Sequence, residues 1–279
     1  MNLKQALFQS RKSLAENHID DASIEGEILL RHVLEITRAQ LFSNLNGDIS
    51  AAQLDDFMKL VARRANGEPT AYITGHREFY GLDFIVNRHV LVPRPETELL
   101  VDKAIALYRK YGYSQIADIG TGCGAIAVSL AVNLPLAKIY ATDISHVALN
   151  IARQNCVKHG VAERITLLEG DLLKPLPEPV DLIIANLPYV RTAEIPSKGP
   201  LSFEPELALN GGKRGLDKIR LLCRQAEKKL NEKASLLLEI GQGQAEEVIS
   251  ILHNIFPLAS VDIEKDLSGI SRVVCLRLT

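Results

Sequence analysis

Apolar positions in the first quarter of the chain recur at helical spacing. Within residues 50–67, SAAQLDDFMKLVARRANG, the apolar Leu54, Phe57, Met58 and Val61 fall at i, i+3, i+4 and i+7, one face of a helix. Ser50 has the hydroxyl of an N-cap and Gly67 the freedom of a terminator. The same spacing predicts helices over roughly 2–17 and 22–36, and a short one near 38–45. Helices with one apolar stripe must bury it against each other, so residues 1–75 are expected to form a small bundle. No grouping of side chains there points to chemistry, and a structural or partner-binding module is the simplest reading.

The pattern then changes. Residues 78–92, EFYGLDFIVNRHVLV, are rich in aromatic and β-branched types, with Asn87-Arg88 as candidate turn, so residues 76–92 are expected to form a β-hairpin linker. After two prolines in PRPETE, a helix is expected from about 96 to 110. From 115 onward short apolar runs, QIADIG, KIYATDI, ITLLEGD, VDLIIANLPYV and ASLLLEIG, alternate with helical stretches. That alternation predicts a mostly parallel sheet covered by helices, in a domain spanning 93–279. The last stretch, ASVDIEKDLSGISRVVCLRLT, reads as two strands about a turn at Ser268-Gly269, which would add an antiparallel strand.

Composition narrows the function classes. With 279 residues, 47% of them hydrophobic and 24% charged, the chain has apolar material enough for two cores. Its formal net charge of -2 lacks the basic excess that extended nucleic-acid holding requires, so no stable nucleic-acid binding is expected. No apolar run is long enough to span a bilayer, and the N-terminal residues do not read as a secretory signal. Cys123, Cys156, Cys223 and Cys275 stand far apart, which suggests neither a zinc site nor a disulfide framework and fits a reducing, cytoplasmic compartment. The seven histidines show no metal-ligand spacing, so no metal is expected.

Candidate chemistry lies at the strand ends. QIADIG runs into Gly120-Thr121-Gly122-Cys123-Gly124 and then a helix. Glycines at such a turn let backbone approach a ligand, and the helix N-terminus offers free N–H groups. The spacing is G-x-G-x-G, not that of dinucleotide folds, and Asp118 just before it suits a cationic ligand better than a pyrophosphate. Alone, the loop reads equally as a tight strand–helix turn. Asp143 at the end of the next strand can accept both hydroxyls of a ribose, which favours a nucleoside, although it or Ser145 can also cap the following helix. Asp171 ends the third strand, with Leu172 beside it as an apolar wall for a base; a turn-forming aspartate is the alternative.

The fourth strand ends in Asn186-Leu187-Pro188-Tyr189. Alone this is an ordinary turn. After a glycine loop and an acid-ended strand it reads as a site for a flat NH2 group: the Asn186 side-chain oxygen accepts one N–H, the Leu187 carbonyl the other, Pro188 stiffens the turn and Tyr189 can lie against the planar face.

These features resemble the class I methyltransferases that act on amino groups. GEPTAYITG at 67–75, EFYGL at 78–82, VLVPRPETELLVD at 90–102, FEPELALNGGKRGLD at 203–217, LLLEIGQGQ at 236–244 and SGISRVV at 268–274 closely resemble the HemK/PrmC family, the release factor glutamine N5-methyltransferases. The likeness covers nearly the whole chain. It implies a Rossmann-like, mostly parallel seven-stranded sheet with an antiparallel C-terminal strand, joined by a hairpin to an N-terminal substrate-recognition bundle. It implies S-adenosyl-L-methionine as cofactor, held by Gly120, Thr121, Gly122, Cys123, Gly124, Asp143, Leu172 and Asn186. It further implies class 1 peptide chain release factors as protein partners, methylated on the glutamine of their Gly-Gly-Gln motif, with residues 186–189 catalytic. The family usually has Asn-Pro-Pro-Tyr. Leu187 departs from this, and Asn-Leu-Pro-Tyr looks more like the ribosomal RNA adenine dimethyltransferases, so adenine N6 of RNA or DNA is the alternative acceptor.

Overall fold

Helical spacing in the first part of the chain produces α1 (Leu3–Glu16), α2 (Ala22–Leu34), α3 (Arg38–Ser43) and α4 (Ala51–Ala65). Ser50 caps α4 through a reciprocal capping box with Gln53, and Asn2 and Thr37 do the same for α1 and α3. A one-turn helix, α5 (Thr70–Thr74), follows Pro69; five residues are too few to show a period in the sequence. The stripes meet in a core of Leu14, Leu29, Leu30, Leu41, Phe57 and Val61. The buried Arg64 of α4 pairs with Glu25 of α2 at 3.1 Å, and the Thr70 hydroxyl also donates to Glu25. The computed structural model describes residues 1–279 as two units: Met1–His76 with Pro196–Phe203, and Arg77–Ile195 with Glu204–Thr279.

The hairpin consists of β1 (His76–Phe79) and β2 (Leu82–Ile85). It turns at Tyr80-Gly81, not at Asn87-Arg88. Both turn residues have positive φ, 52° and 70°, the geometry whose twist suits a two-residue hairpin. Asn87 instead opens a second turn, where its carbonyl accepts from Val90 N. The hairpin is anchored within the second unit by two helices, α6 (Glu98–Tyr111) and α8 (His146–Lys158). Tyr80 reaches Glu98 and Asp102, and the buried Asn155 both donates to and accepts from the backbone of Ile85.

The rest of this unit alternates strand and helix: β3 (Gln115–Ile119), α7 (Ala125–Asn133), β4 (Lys138–Asp143), α8, β5 (Ile165–Glu169), β6 (Val180–Ala185), α9 (Glu206–Leu209), α10 (Asp217–Ala226), β7 (Leu230–Glu239), α11 (Ala245–Ile255), β8 (Ser260–Lys265) and β9 (Ser271–Arg277). The seven strands β3–β9 run in the order β5-β4-β3-β6-β7-β9-β8, with β9 antiparallel to both neighbours. This is the expected seven-stranded, mostly parallel sheet. Central strands are apolar on both faces because helices cover both. On one face Ala117, Ile119, Ile183, Ala185, Leu236 and Leu238 pack with Ile219, Leu222 and Cys223 of α10 and Val248 and Leu252 of α11. No helix is long and apolar enough to cross a membrane.

The strand order puts β3 between β4 and β6, so the chain reverses direction across the sheet beside β3. Loops leaving the carboxyl ends of strands at such a point diverge and leave a crevice.

Candidate active site

Five strand ends, those of β3 to β7, open on one edge of the sheet. The loop after β3 is stitched to β4, since Gly120 N and Thr121 N both donate to the Thr142 carbonyl at 2.9 Å. Gly120 has φ +73°, and a Cβ there would lie 3.2 Å from Cδ2 of Leu187, so the loop's first glycine is fixed both by its backbone and by the turn after β6. Gly122 N donates to Asp143 Oδ2 and Ser145 N to Asp143 Oδ1, each at 2.9 Å. Ser145, not Asp143, caps α8 by accepting from Ala148 N. Each oxygen of Asp143 therefore keeps a lone pair for a further donor. The Thr142 hydroxyl donates to the Leu172 carbonyl and holds the turn after β5, where Leu172 sits at φ 54°. The Asp171 carboxylate beside it is paired with Lys174 at 2.7 Å.

Asp118 is placed differently from the sequence expectation. It is 1% exposed and does not reach the cavity wall. Its Oδ2 accepts from the Thr121 hydroxyl at 2.6 Å and from Ala127 N at 3.2 Å, so it pins the glycine loop to the start of α7. Burial pushes its carboxyl up to about 7. A carboxyl raised in the folded state stabilises most below its unfolded pKa, and that contribution is lost as pH rises through the folded value. The ligand-free protein should therefore lose thermal stability through Asp118 between about pH 4 and 7. Asp118→Asn carries no charge at any pH and should show a shallower fall of Tm over that window. An unchanged slope would mean that Asp118 is ionised throughout.

The turn after β6 is held from several sides. The Asn186 side chain donates from Nδ2 to the Thr97 hydroxyl oxygen at 3.1 Å, and no group of the protein donates to its Oδ1. The Leu187 side chain is 4% exposed within the core, and its carbonyl likewise accepts no bond. The Tyr189 carbonyl accepts from Gln244 Nε2 at 3.0 Å, while Gln244 Oε1 accepts from Gly241 N. The Tyr189 hydroxyl donates to Glu239 at 3.4 Å. Glu239 is 2% exposed and burial pushes its carboxyl up to about 7.

The loop after α9 closes on the same turn. A Cβ on Gly211 would stand 2.6 Å from the Pro188 carbonyl oxygen and 2.7 Å from that of Gly215. Both obstacles are backbone, so Gly211→Ala must displace the turn. Overpacking of this kind costs about 1–3 kcal/mol, and we expect that loss in denaturant unfolding together with at least a roughly tenfold fall in kcat. Wild-type activity in Gly211→Ala would show that the turn tolerates the shift.

These loops enclose a cavity of about 270 Å³. Gly120, Thr121, Gly122, Cys123, Asp143, Leu172, Asn186, Leu187 and Pro188 line it, so it collects most of the residues singled out by sequence. Gly124 and Tyr189 do not line it: Gly124 packs on Ala152, and Tyr189 lies against Gly241. Thr97, Arg94 and Pro205 also line it without having been assigned a role. Arg94 pairs with the buried Glu204, which also accepts from Val92 N at 3.2 Å, tying the PRPETE segment to FEPEL. The signal for these residues is the motif in which each lies; their contacts cross 89 to 112 positions of chain and have no local signature.

The chain matches the PrmC N-terminal domain over residues 5–75 and the methyltransferase small domain over residues 96–198. It is 40% identical over 274 residues to the release factor glutamine methyltransferase of Moorella thermoacetica, covering 98% of this chain and 97% of the relative. It is 39% identical to the protein of the same name from Geobacter sulfurreducens, over 98% and 95% of the two chains. Among solved structures, a methyltransferase from Pyrococcus furiosus is 18% identical, with a TM-score of 0.51 over 71% of this chain and 90% of that one, a likeness of fold alone. Identity at this level over the full length of both chains shows that the chain belongs to the release factor glutamine methyltransferase family.

Proposed function

We propose that the protein transfers a methyl group from S-adenosyl-L-methionine to the side-chain amide N5 of the glutamine in the Gly-Gly-Gln motif of class 1 peptide chain release factors. The observation that carries this is a pair of acceptors left without a donor, Asn186 Oδ1 and the Leu187 carbonyl, on adjacent residues that line the cavity. A primary amide presents two N–H donors, and two fixed acceptors can hold both.

The cavity fits an adenosine-bearing donor. Asp143 has a spare lone pair on each oxygen for the ribose hydroxyls, and Gly120, Thr121, Gly122 and Cys123 expose loop backbone to it. Leu172, with Ile126, Ile144 and Val147, forms an apolar wall for a base. Gly124 serves from outside the wall as N-cap of α7. When bound, S-adenosyl-L-methionine supplies an electrophilic sulfonium methyl.

Amide nitrogen is a poor nucleophile because its lone pair is delocalised, on a scale set by the rotational barrier of about 18–20 kcal/mol. Asn186 and Leu187 hold the NH2 group in one orientation, and such positioning contributes roughly 7–11 kcal/mol in favourable cases. Pro188 stiffens the turn, and Tyr189 anchors it through Gln244 and Glu239. No strong base is needed early, since the nitrogen becomes acidic once methylated and then releases its proton. The departure at Leu187 leaves this chemistry intact, because the contact is a backbone carbonyl. The four cysteines are free and buried, which fits a cytoplasmic site of action beside the translation machinery.

The test is incubation with methyl-labelled S-adenosyl-L-methionine and a release factor, with RNA offered in parallel, followed by peptide mass mapping. Label on the Gly-Gly-Gln glutamine is the expected result. Label on RNA alone would overturn the reading.

A further inference from the structure

The loop after β3 has glycine at 120, 122 and 124, and backbone so free must be held if it is to meet a ligand in one shape. Asp118 and Asp143 hold it at Thr121 and Gly122. A third side chain holds the next peptide. Asn155 of α8 is fully buried, and its Nδ2 donates to the Cys123 carbonyl at 2.8 Å.

That carbonyl and the Gly124 N–H belong to one peptide unit, and Gly124 N donates to the Thr121 carbonyl at 2.8 Å. The unit is therefore fixed at both ends and cannot rotate to exchange its carbonyl for its N–H. No other group donates to the Cys123 carbonyl. Ala127 N, which the i→i−4 pattern of a helix would direct to it, is taken by Asp118. The orientation of the Asn155 amide is itself settled by backbone groups of fixed polarity. Its Nδ2 also donates to the Ile85 carbonyl at 3.0 Å, and its Oδ1 accepts from Ile85 N at 2.8 Å. Turned over, the amide would set oxygen against two carbonyls and nitrogen against an N–H. A staple for the hairpin alone would need only Ile85; the bond to Cys123 reaches a residue that lines the cavity.

We propose that Asn155 is a positioning residue for the methyl donor: it locks the Cys123–Gly124 peptide in the shape that receives the donor and couples that loop to the β1–β2 hairpin. This rests on the donor reading given under Proposed function.

The experiment uses the purified full-length protein, with the Kd for S-adenosyl-L-methionine from calorimetry, kcat at saturating donor, and hydrogen exchange of the Ile85 amide. Asn155→Ala leaves the buried Cys123 carbonyl without its donor, so the loop turns to satisfy it elsewhere and the donor Kd should weaken by about tenfold to a hundredfold. Because the turn after β6 is untouched, kcat at saturating donor should stay within about threefold. Tyr80→Phe removes a different hairpin bond, to Asp102 at 2.7 Å, and should leave the Kd within about twofold. Coupling is reciprocal, so donor binding to the wild-type protein should slow exchange at Ile85 N, by up to the same factor by which Asn155→Ala weakens the Kd. An unchanged Kd in Asn155→Ala would overturn the proposal, and so would an equal weakening in Tyr80→Phe, which would make the effect one of hairpin stability. Should Asn155→Ala fail to fold, the wild-type exchange measurement decides: no slowing at Ile85 on donor binding overturns the proposal. If the wild-type protein binds no S-adenosyl-L-methionine at all, the donor reading of the cavity falls first and takes this role of Asn155 with it.

Discussion

Replacing Asn186 with alanine should lower kcat for release-factor methylation by about 100- to 1000-fold, the range seen when one preorganised hydrogen-bonding group is removed from a site. On the proposed reading the acceptor nitrogen gains nucleophilic character only while its two N–H groups are held, and Asn186 Oδ1 is one of two acceptors left without a donor on the cavity-lining residues. Truncation leaves the Leu187 carbonyl in place, so the amide is tethered by one bond and samples orientations in which its lone pair misses the methyl. The loss should therefore appear in kcat, with the donor Kd changed only a few-fold, since the glycine loop and Asp143 do not depend on this side chain. Single-turnover methylation, with donor binding followed by calorimetry, separates the two quantities. Wild-type kcat in Asn186→Ala would refute the role of the side chain, and a large loss of donor affinity alone would reassign it to cofactor binding.

The second large effect is expected at Asp143. Its two oxygens each accept one backbone N–H, from Gly122 and Ser145, and the proposed ribose contacts use the lone pair left on each. Alanine removes both ribose contacts and strips Gly122 N of its acceptor, which loosens the loop meant to hold the rest of the donor. Hydrogen bonds to a charged group contribute about 1.5–3 kcal/mol each. Allowing for partial compensation by water, a total near 3 kcal/mol corresponds to a donor Kd roughly a hundredfold weaker. At saturating donor, kcat should stay within several-fold of wild type, because the acceptor turn after β6 is untouched. A fall in kcat with the Kd intact would remove Asp143 from the ribose and place it at the reacting centre. Asp143→Asn, which keeps an oxygen for one of the two backbone partners, should fall between.

Much of this architecture was legible in the chain itself. Apolar spacing placed four helices of the first unit and all the strands of the large sheet, because period 3.6 and short apolar runs are consequences of which face is buried. Ser50 was legible as a cap, since the capping box with Gln53 is closed within four residues. The hairpin turn was misplaced. Asn-Arg has the composition of a turn, but the bend fell at Tyr80-Gly81, where burial of Phe79 and Phe84 fixes the strand register. The helix α5 left no trace, being too short to repeat.

The site divides along the same line. Residues that line its cavity could be picked out in sequence where a backbone requirement or a strand end gave them a position: Gly120 to Cys123, Asp143, Leu172 and Asn186 to Pro188. What each does depended on partners distant in the chain. Sequence set Asp118 beside a cationic ligand, and the fold buries it as a pin for the loop. It set Tyr189 on the acceptor, while in the fold Tyr189 lies off the cavity lining with its hydroxyl donating to Glu239. Thr97, just before α6, and Glu239, at the end of β7, are ordinary residues until folding brings them to Asn186 and Tyr189. The sequence by itself determined the family, the alternation of strands and helices and the strand ends that surround the cavity, because local periodicity and motif spacing follow from backbone geometry. Only the tertiary structure decided which polar groups are paired and which are left free, because hydrogen-bond satisfaction at a buried site is a property of neighbours that the chain brings together only by folding.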